Sequence, residues 1–144
     1  MKEKGFSLVD LITAFSILSI LLCISLPAFK NLSSKYTLTS AVREISASLN
    51  YAKYKSIFQR AKFRVSFAER GYRIERFNTA SKKWERDKWA ICKNVIIYAN
   101  NSPIFHPNGT VSNLTSIYIS NSSGKYKITI AISGRIKAVK LDKD

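Results

Sequence analysis

Hydrophobic and polar positions along this chain change their period near residue 60. From Leu11 to Phe29, nineteen consecutive residues carry no charge, and most are Leu, Ile, Phe, Ala or Ser. A helix rises about 1.5 Å per residue, so about 20 residues cross a hydrocarbon core of about 30 Å. The run is long enough to span. Beyond Pro27, apolar residues recur at steps of three and four: Leu38, Val42, Ile45, Leu49 and Ala52, with Arg43, Asn50 and Lys53 falling elsewhere. That is an amphipathic stripe. The pattern predicts one helix from about Phe6 to about Gln59, its first half in lipid or a bundle core, its second half packed on a sheet.

Beyond Arg60 the period becomes two. Phe63, Val65 and Phe67 alternate with Lys62, Arg64 and Ser66, and Tyr72, Ile74 and Arg76 follow across Glu69-Arg70-Gly71. Alternation about a Gly-bearing connection predicts a hairpin. Asn78 to Lys83 reads as a polar loop, Val95 to Tyr98 as a short strand, and Asn108-Gly109 as a turn. Ser116 to Ser120 alternates around Ile117 and Ile119, and Asn121-Ser-Ser-Gly124 turns the chain. Tyr126, Ile128, Ile130 and Ile132 then share one strand face, with Lys125 and Lys127 opposite, before Ser133-Gly134 breaks the strand. A long helix followed by short antiparallel strands is an α+β arrangement. The expected division is 1–5, a leader; 6–29, a membrane-spanning helix; 30–60, an amphipathic helix; and 61–144, a β-rich head forming a small sheet or sandwich.

Composition changes the picture mainly through charge. In 144 residues, 24 Lys+Arg stand against 9 Asp+Glu, a formal charge of +15. That length supports one modest domain, and the hydrophobic fraction of 46% excludes global disorder. Lys2 and Lys4 balance Glu3 and Asp10, so the excess lies beyond residue 29. Lys53 to Lys93 holds thirteen basic and four acidic residues, and Asn94 to Gly124 holds none of either. Lys125, Lys127, Arg135, Lys137 and Lys140 follow without an acid among them. Such zones suit an anionic partner, or simply a solvated surface. Alternation accounts for most aromatic residues between Lys53 and Lys93 as core. Trp84 and Trp89, flanked by Lys83, Arg86 and Lys88, fit it less well and leave base stacking open.

The amino-terminal run is too long for an ordinary signal-peptide apolar region. Leu26-Pro27-Ala28 is a poor cleavage site, and Leu22 before Cys23 does not suit a lipoprotein signal. A plain anchor leaves two details unexplained: the short basic leader ending in Gly5, and Asp10 at the entry to the apolar helix. An ionisable group costs about 2.5–3.5 kcal/mol at the centre of a membrane helix, less near an end, and usually has a partner. Met1-Lys-Glu-Lys-Gly5-Phe6-Ser-Leu-Val-Asp10 resembles the class III leader of type IV pilins and type II secretion pseudopilins. The resemblance implies cleavage by a prepilin peptidase between Gly5 and Phe6, then methylation of the new terminus at Phe6. It also implies that Asp10, one methylene shorter than the usual Glu, pairs with a neighbouring subunit's terminal amine during assembly. Pro27 matches a proline that kinks the pilin helix by removing a donor and clashing one turn back.

The carboxy-terminal half narrows the resemblance. Phe105-His-Pro-Asn-Gly109, followed by Ile130-Ala-Ile-Ser-Gly134-Arg135-Ile136-Lys137, resembles the GspH/FimT subgroup of minor pilins and pseudopilins, which end in a Gly-Arg-x-Arg-like motif. Other pilin subunits, prepilin peptidase and the bacterial inner membrane are the implied partners. The implied location is a single-pass prepilin with its head outside the cytoplasm, then a periplasmic or extracellular filament. Some FimT-like pilins bind double-stranded DNA for uptake in natural transformation. Carried over, that implies Gly134, Arg135 and Lys137 as a DNA-binding set, with Arg135 and Lys137 two apart on a strand and pointing to the same side. Gly134 lets backbone approach a phosphate, and Lys125 and Lys127 extend the patch if the two final strands pair as a hairpin. Lys137 keeps the charge of the second Arg but not its bidentate geometry. Pilus, secretion pseudopilus and a basic membrane-anchored binding protein all remain open. No P-loop, Gly-x-Ser-x-Gly or Cys-x-x-Cys is present, so neither an enzyme nor a cofactor is expected. His106 lacks a second His for a metal, and a disulfide between Cys23 and Cys92 is geometrically implausible.

Overall fold

Ser7 accounts for where the helix starts. In the computed structural model, which describes residues 7–141 (the backbone alone at 25–28, 30 and 31), α1 runs Leu8–Phe58. Ser7 sits at its N-cap, where its Oγ accepts the Val9 N–H at 3.3 Å. Asp10, three residues on, returns the bond by accepting the Ser7 N–H at 3.2 Å. This reciprocal pair is a capping box with Asp in place of Glu. The carboxy-terminal end closes just as specifically. Arg60 adopts φ +49°, its N–H reaches the Ile57 carbonyl, and the Ala61 N–H reaches that of Ser56. That is a Schellman closure, with Arg where Gly is usual.

The chain divides into two compact units, residues 1–33 and 34–144. In the first, the large apolar side chains from Leu8 to Ile24 are exposed, Leu18 at 51% and Ile17 at 61%. Among the described residues no helix is long and apolar enough to cross a membrane. The expected membrane-spanning helix over 6–29 is not met among the described residues, and its residue 6 and the side chains of 25–28 lie outside them.

Among the described residues the second unit carries nine strands: β1 (Phe63–Ala68), β2 (Gly71–Asn78), β3 (Lys83–Ile91), β4 (Ile96–Ala99), β5 (Ile104–Phe105), β6 (Val111–Ser112), β7 (Ser116–Asn121), β8 (Gly124–Ile130) and β9 (Ile136–Leu141). They form two sheets, ordered β3-β2-β1-β5-β6 and β4-β7-β8-β9, with antiparallel pairing throughout. The helix stripe packs against both. Leu38, Val42, Ile45, Leu49 and Ala52 join Phe63, Val65 and Ile74 of one sheet, and Ile117, Ile119 and Ile128 of the other, in one core. The α+β architecture with the helix on antiparallel sheets is as expected, and burial near 25 cal/mol per Å² of apolar surface holds it together.

Three strand readings need correction. Arg76 is exposed; the apolar face of β2 ends at Ile74. Ile132 is 65% exposed, because β8 ends at Ile130 and the chain turns. The largest miss is β3, nine residues read as loop and unassigned chain. It is an edge strand with most side chains in solvent, so it lacks the alternation that marks a half-buried strand. A bulge also interrupts it. Ile74 faces Lys88 and Glu75 faces Arg86, which leaves Asp87 without a partner residue in the ladder. Asp87 turns instead to the helix, accepting from Lys55 Nζ at 2.5 Å and from the Tyr51 hydroxyl at 3.1 Å. Partial burial lowers the Lys55 pKa, but these bonds outweigh it and hold the ammonium above its ordinary 10.5.

Candidate functional site

The processing residues Gly5 and Phe6 lie outside the described residues, and of Pro27 only the backbone is described, within α1. Asp10 is placed. Its carboxylate is exposed and bonded to its own helix start, where the macrodipole also favours negative charge. The sequence reading did not include this local partner, for which the Ser-x-x-Asp spacing was the signal.

The carboxy-terminal cations gather through strand pairing. β8 and β9 form the hairpin that the reading required, with Lys127 opposite Val139 and Thr129 opposite Lys137. Directly paired residues share a face, so Lys125, Lys127 and Lys137 all lie on the side away from Ile128 and Ile130. On that side Tyr118 of β7 is opposite Lys127, and its ring lies 4.9 Å from Lys125 Nζ and 5.6 Å from Lys127 Nζ. Tyr98 of β4 follows at 6.3 Å between ring centroids. The face is thus a row of tyrosines overlaid by lysines, held partly by cation–π attraction. Among the described residues, none of Lys125, Lys127, Arg135 and Lys137 forms an ion pair.

Arg135 and Gly134 differ from expectation. Arg135 is exposed but precedes β9, so it and Lys137 do not sit together on a strand. Gly134 is buried in the turn at φ +72°. A Cβ there would come within 2.9 Å of both the Gly109 carbonyl and Lys53 Cε. Lys53 Nζ donates to the Gly134 carbonyl at 3.1 Å. The space expected for a phosphate is filled by Lys53, and glycine is needed for the turn and for that close approach. Nothing local in the sequence links Lys53 of α1 to a turn 81 residues away.

The outer face of the other sheet treats its cations differently. Glu75 is buried, and its Oε2 accepts Arg64 Nε at 2.9 Å and Nη2 at 2.7 Å. The Arg64 guanidinium lies 4.4 Å from the Trp84 ring centre, and Trp84 packs edge-on against Phe77. Arg73 Nη1 stands 3.7 Å from Glu75 Oε1. Trp84 is therefore largely accounted for by local structure, while Trp89 is 59% exposed.

Other chemistry is sparse. His106 Nε2 is 2.8 Å from Ser112 Oγ, and no group of three or more His, Cys, Asp or Glu among the described residues could hold a metal. Both cysteines are free. Burial, with a smaller contribution from Glu44, pushes the Cys92 thiol up to about 11.

With the geometry in hand, the chain can be set beside known structures. Its fold is that of the minor pilins and pseudopilins. Two structures of the minor pseudopilin EpsH from the type II secretion system of Vibrio cholerae superpose with TM-scores of 0.62 and 0.64, each at 10% identity. They cover 72% and 76% of this chain, and 96% and 99% of theirs. The type IV minor pilin FimU of Pseudomonas aeruginosa gives a TM-score of 0.59 at 20% identity, over 72% of this chain and 88% of its own. No protein-family model and no curated protein sequence matches the chain.

Proposed function

We propose that this chain is a GspH/FimT-like minor subunit of a type IV pilus or type II secretion pseudopilus, with a structural rather than a catalytic role. The observation that carries the reading is one helix with two unlike halves. Its first half exposes Leu, Ile and Phe all round, and its second is built into a two-sheet head of the minor-pilin fold. An apolar surface of that length is not left in water, and a bilayer followed by a helical filament core would cover it in turn. On this reading the prepilin anchors in the inner membrane with its head outside the cytoplasm. Prepilin peptidase cuts after Gly5, Phe6 is methylated, and the subunit primes or caps a filament. Asp10 exchanges its capping bond for a neighbour's amine, a step that a charge in an apolar bundle requires.

Mass spectrometry of the native protein tests this. The mature chain should begin at an N-methylated Phe6, and Gly5→Val should accumulate uncut. An intact amino terminus in cells that assemble the filament would end the reading.

A specific observation supports a second role, binding double-stranded DNA. Lys125, Lys127 and Lys137 share one face, Arg135 is exposed in the turn before β9, and among the described residues none of the four forms an ion pair. Four phosphate contacts would lower affinity by roughly 10² between 50 and 200 mM salt, from a slope of about 0.9 per contact. Exchanging Arg135 and Lys137 for Gln should reduce both affinity and slope. No binding at low salt, or no loss of affinity on that exchange, would remove the DNA role and leave the filament role standing.

A further inference from the structure

On the face of the five-stranded sheet that points away from the core lies a groove of about 530 Å³. Its floor exists because small residues meet there. Ser66 pairs with Arg73, Ala68 with Gly71, and Gly71 with Ile91, so the centre carries almost no side chain. Trp89 and Ile91 of the edge strand β3 form one wall, each 59% exposed. Arg70, Arg73 and Arg86 line the same groove, and no acidic residue does. Among the described residues, neither the Arg70 nor the Arg86 side chain has a hydrogen bond or an ion pair. Arg73 has only the 3.7 Å contact to Glu75.

Apolar floor, exposed tryptophan and unneutralised guanidinium groups together match the centre of a protein–protein contact, where Trp and Arg carry most of the binding energy. Guanidinium groups favour carboxylates, which they can grip through two parallel hydrogen bonds. We infer that this groove binds a short peptide segment of another protein, one that carries Asp or Glu beside aliphatic or aromatic side chains. A second copy of this chain is a poor occupant, since a +15 body would approach its like. A nucleic acid strand is also poorly matched. Among the described residues Trp89 is the only exposed ring in the lining, so successive bases find no stacking ladder. This inference is independent of the filament reading and of the DNA role on the opposite sheet.

The test uses the full chain in detergent micelles, carrying Trp84→Phe so that emission reports Trp89 alone. The probe is a capped octapeptide of alternating Glu and Leu. Binding should shift the emission and saturate. Alternating Gln and Leu should bind about tenfold more weakly or worse, the equivalent of one charge-assisted hydrogen bond, and so should alternating Glu and Ser. Arg70→Gln and Arg86→Gln should each cost a similar factor with an unchanged melting temperature. Should either variant fold poorly, the peptide comparison on the parent chain decides alone. Equal binding of the Glu and Gln peptides overturns the inference. So does an oligothymidylate of eight nucleotides that binds more tightly and shifts the same emission, which would make the groove a nucleic acid site.

Discussion

The two halves of α1 treat their apolar side chains in opposite ways. The more apolar half is the exposed one: Leu8, Ile12, Phe15, Ile17 and Ile20 all exceed half exposure. The half with regularly interspersed polar residues supplies the core, where Ile45, Leu49 and Ala52 are 1% exposed or less. Apolarity therefore says that a surface needs cover, and periodicity says whether this chain provides it. A stripe repeating at three and four residues gives a helix one buried side, which here meets the inner faces of the two sheets. An apolar surface on every side matches a surround, which only lipid or other helices supply.

The sharpest way to break this comparison is to truncate one leucine in each half and follow unfolding of the head in denaturant. Leu49→Ala should lose about 2–5 kcal/mol, the cost of a cavity in a packed core. Next, Gly134→Ala should lose about 1–3 kcal/mol, because its φ of +72° and the 2.9 Å approaches leave a Cβ no room. A fall below about 0.5 kcal/mol there would mean that the turn, and Lys53 with it, is freely remodelled.

Alkaline pH tests the same half more gently. The folded Cys92 thiol titrates near 11 against an ordinary 9.0, so folding favours the neutral form. Its contribution is complete below pH 9 and is lost as the pH rises through about 11. Tyr72, pushed above 10.0 chiefly by burial, and Lys55, held above 10.5, act in the same direction. Stability should be flat up to pH 9 and then fall by about 1–2 kcal/mol toward pH 11, with a shallower fall in Cys92→Ala. The smallest effect belongs to the first half. Leu18→Ala should leave head stability within about 0.5 kcal/mol, as an exposed side chain of the first unit. A loss near that of Leu49→Ala would erase the contrast.

The two outer sheet faces carry a related lesson about charge. Counting showed where cations cluster in the chain but not which are available. Arg64 is spent on Glu75 and Trp84, whereas Lys125 and Lys127 lie over a tyrosine and, among the described residues, form no ion pair. Which acid meets which base depends on strand register, and the bulge at Asp87 shows how far one extra residue redirects a side chain.

The sequence alone determined what rests on local periodicity. It identified the helix and its buried stripe, the Glu69-Arg70 and Ser122-Ser123 hairpins, and the inward positions Phe63, Val65, Ile117, Ile119 and Ile128. These follow from 3.6- and 2-residue repeats, which any window of the chain displays. It could not show β3, because an edge strand wet on both faces has no such repeat. Nor could it show Lys53 under Gly134, the outward turn of Ile132, or the groove between Ser66, Ala68 and Gly71. Those depend on which distant segments become neighbours, and only the closed sheets decide that.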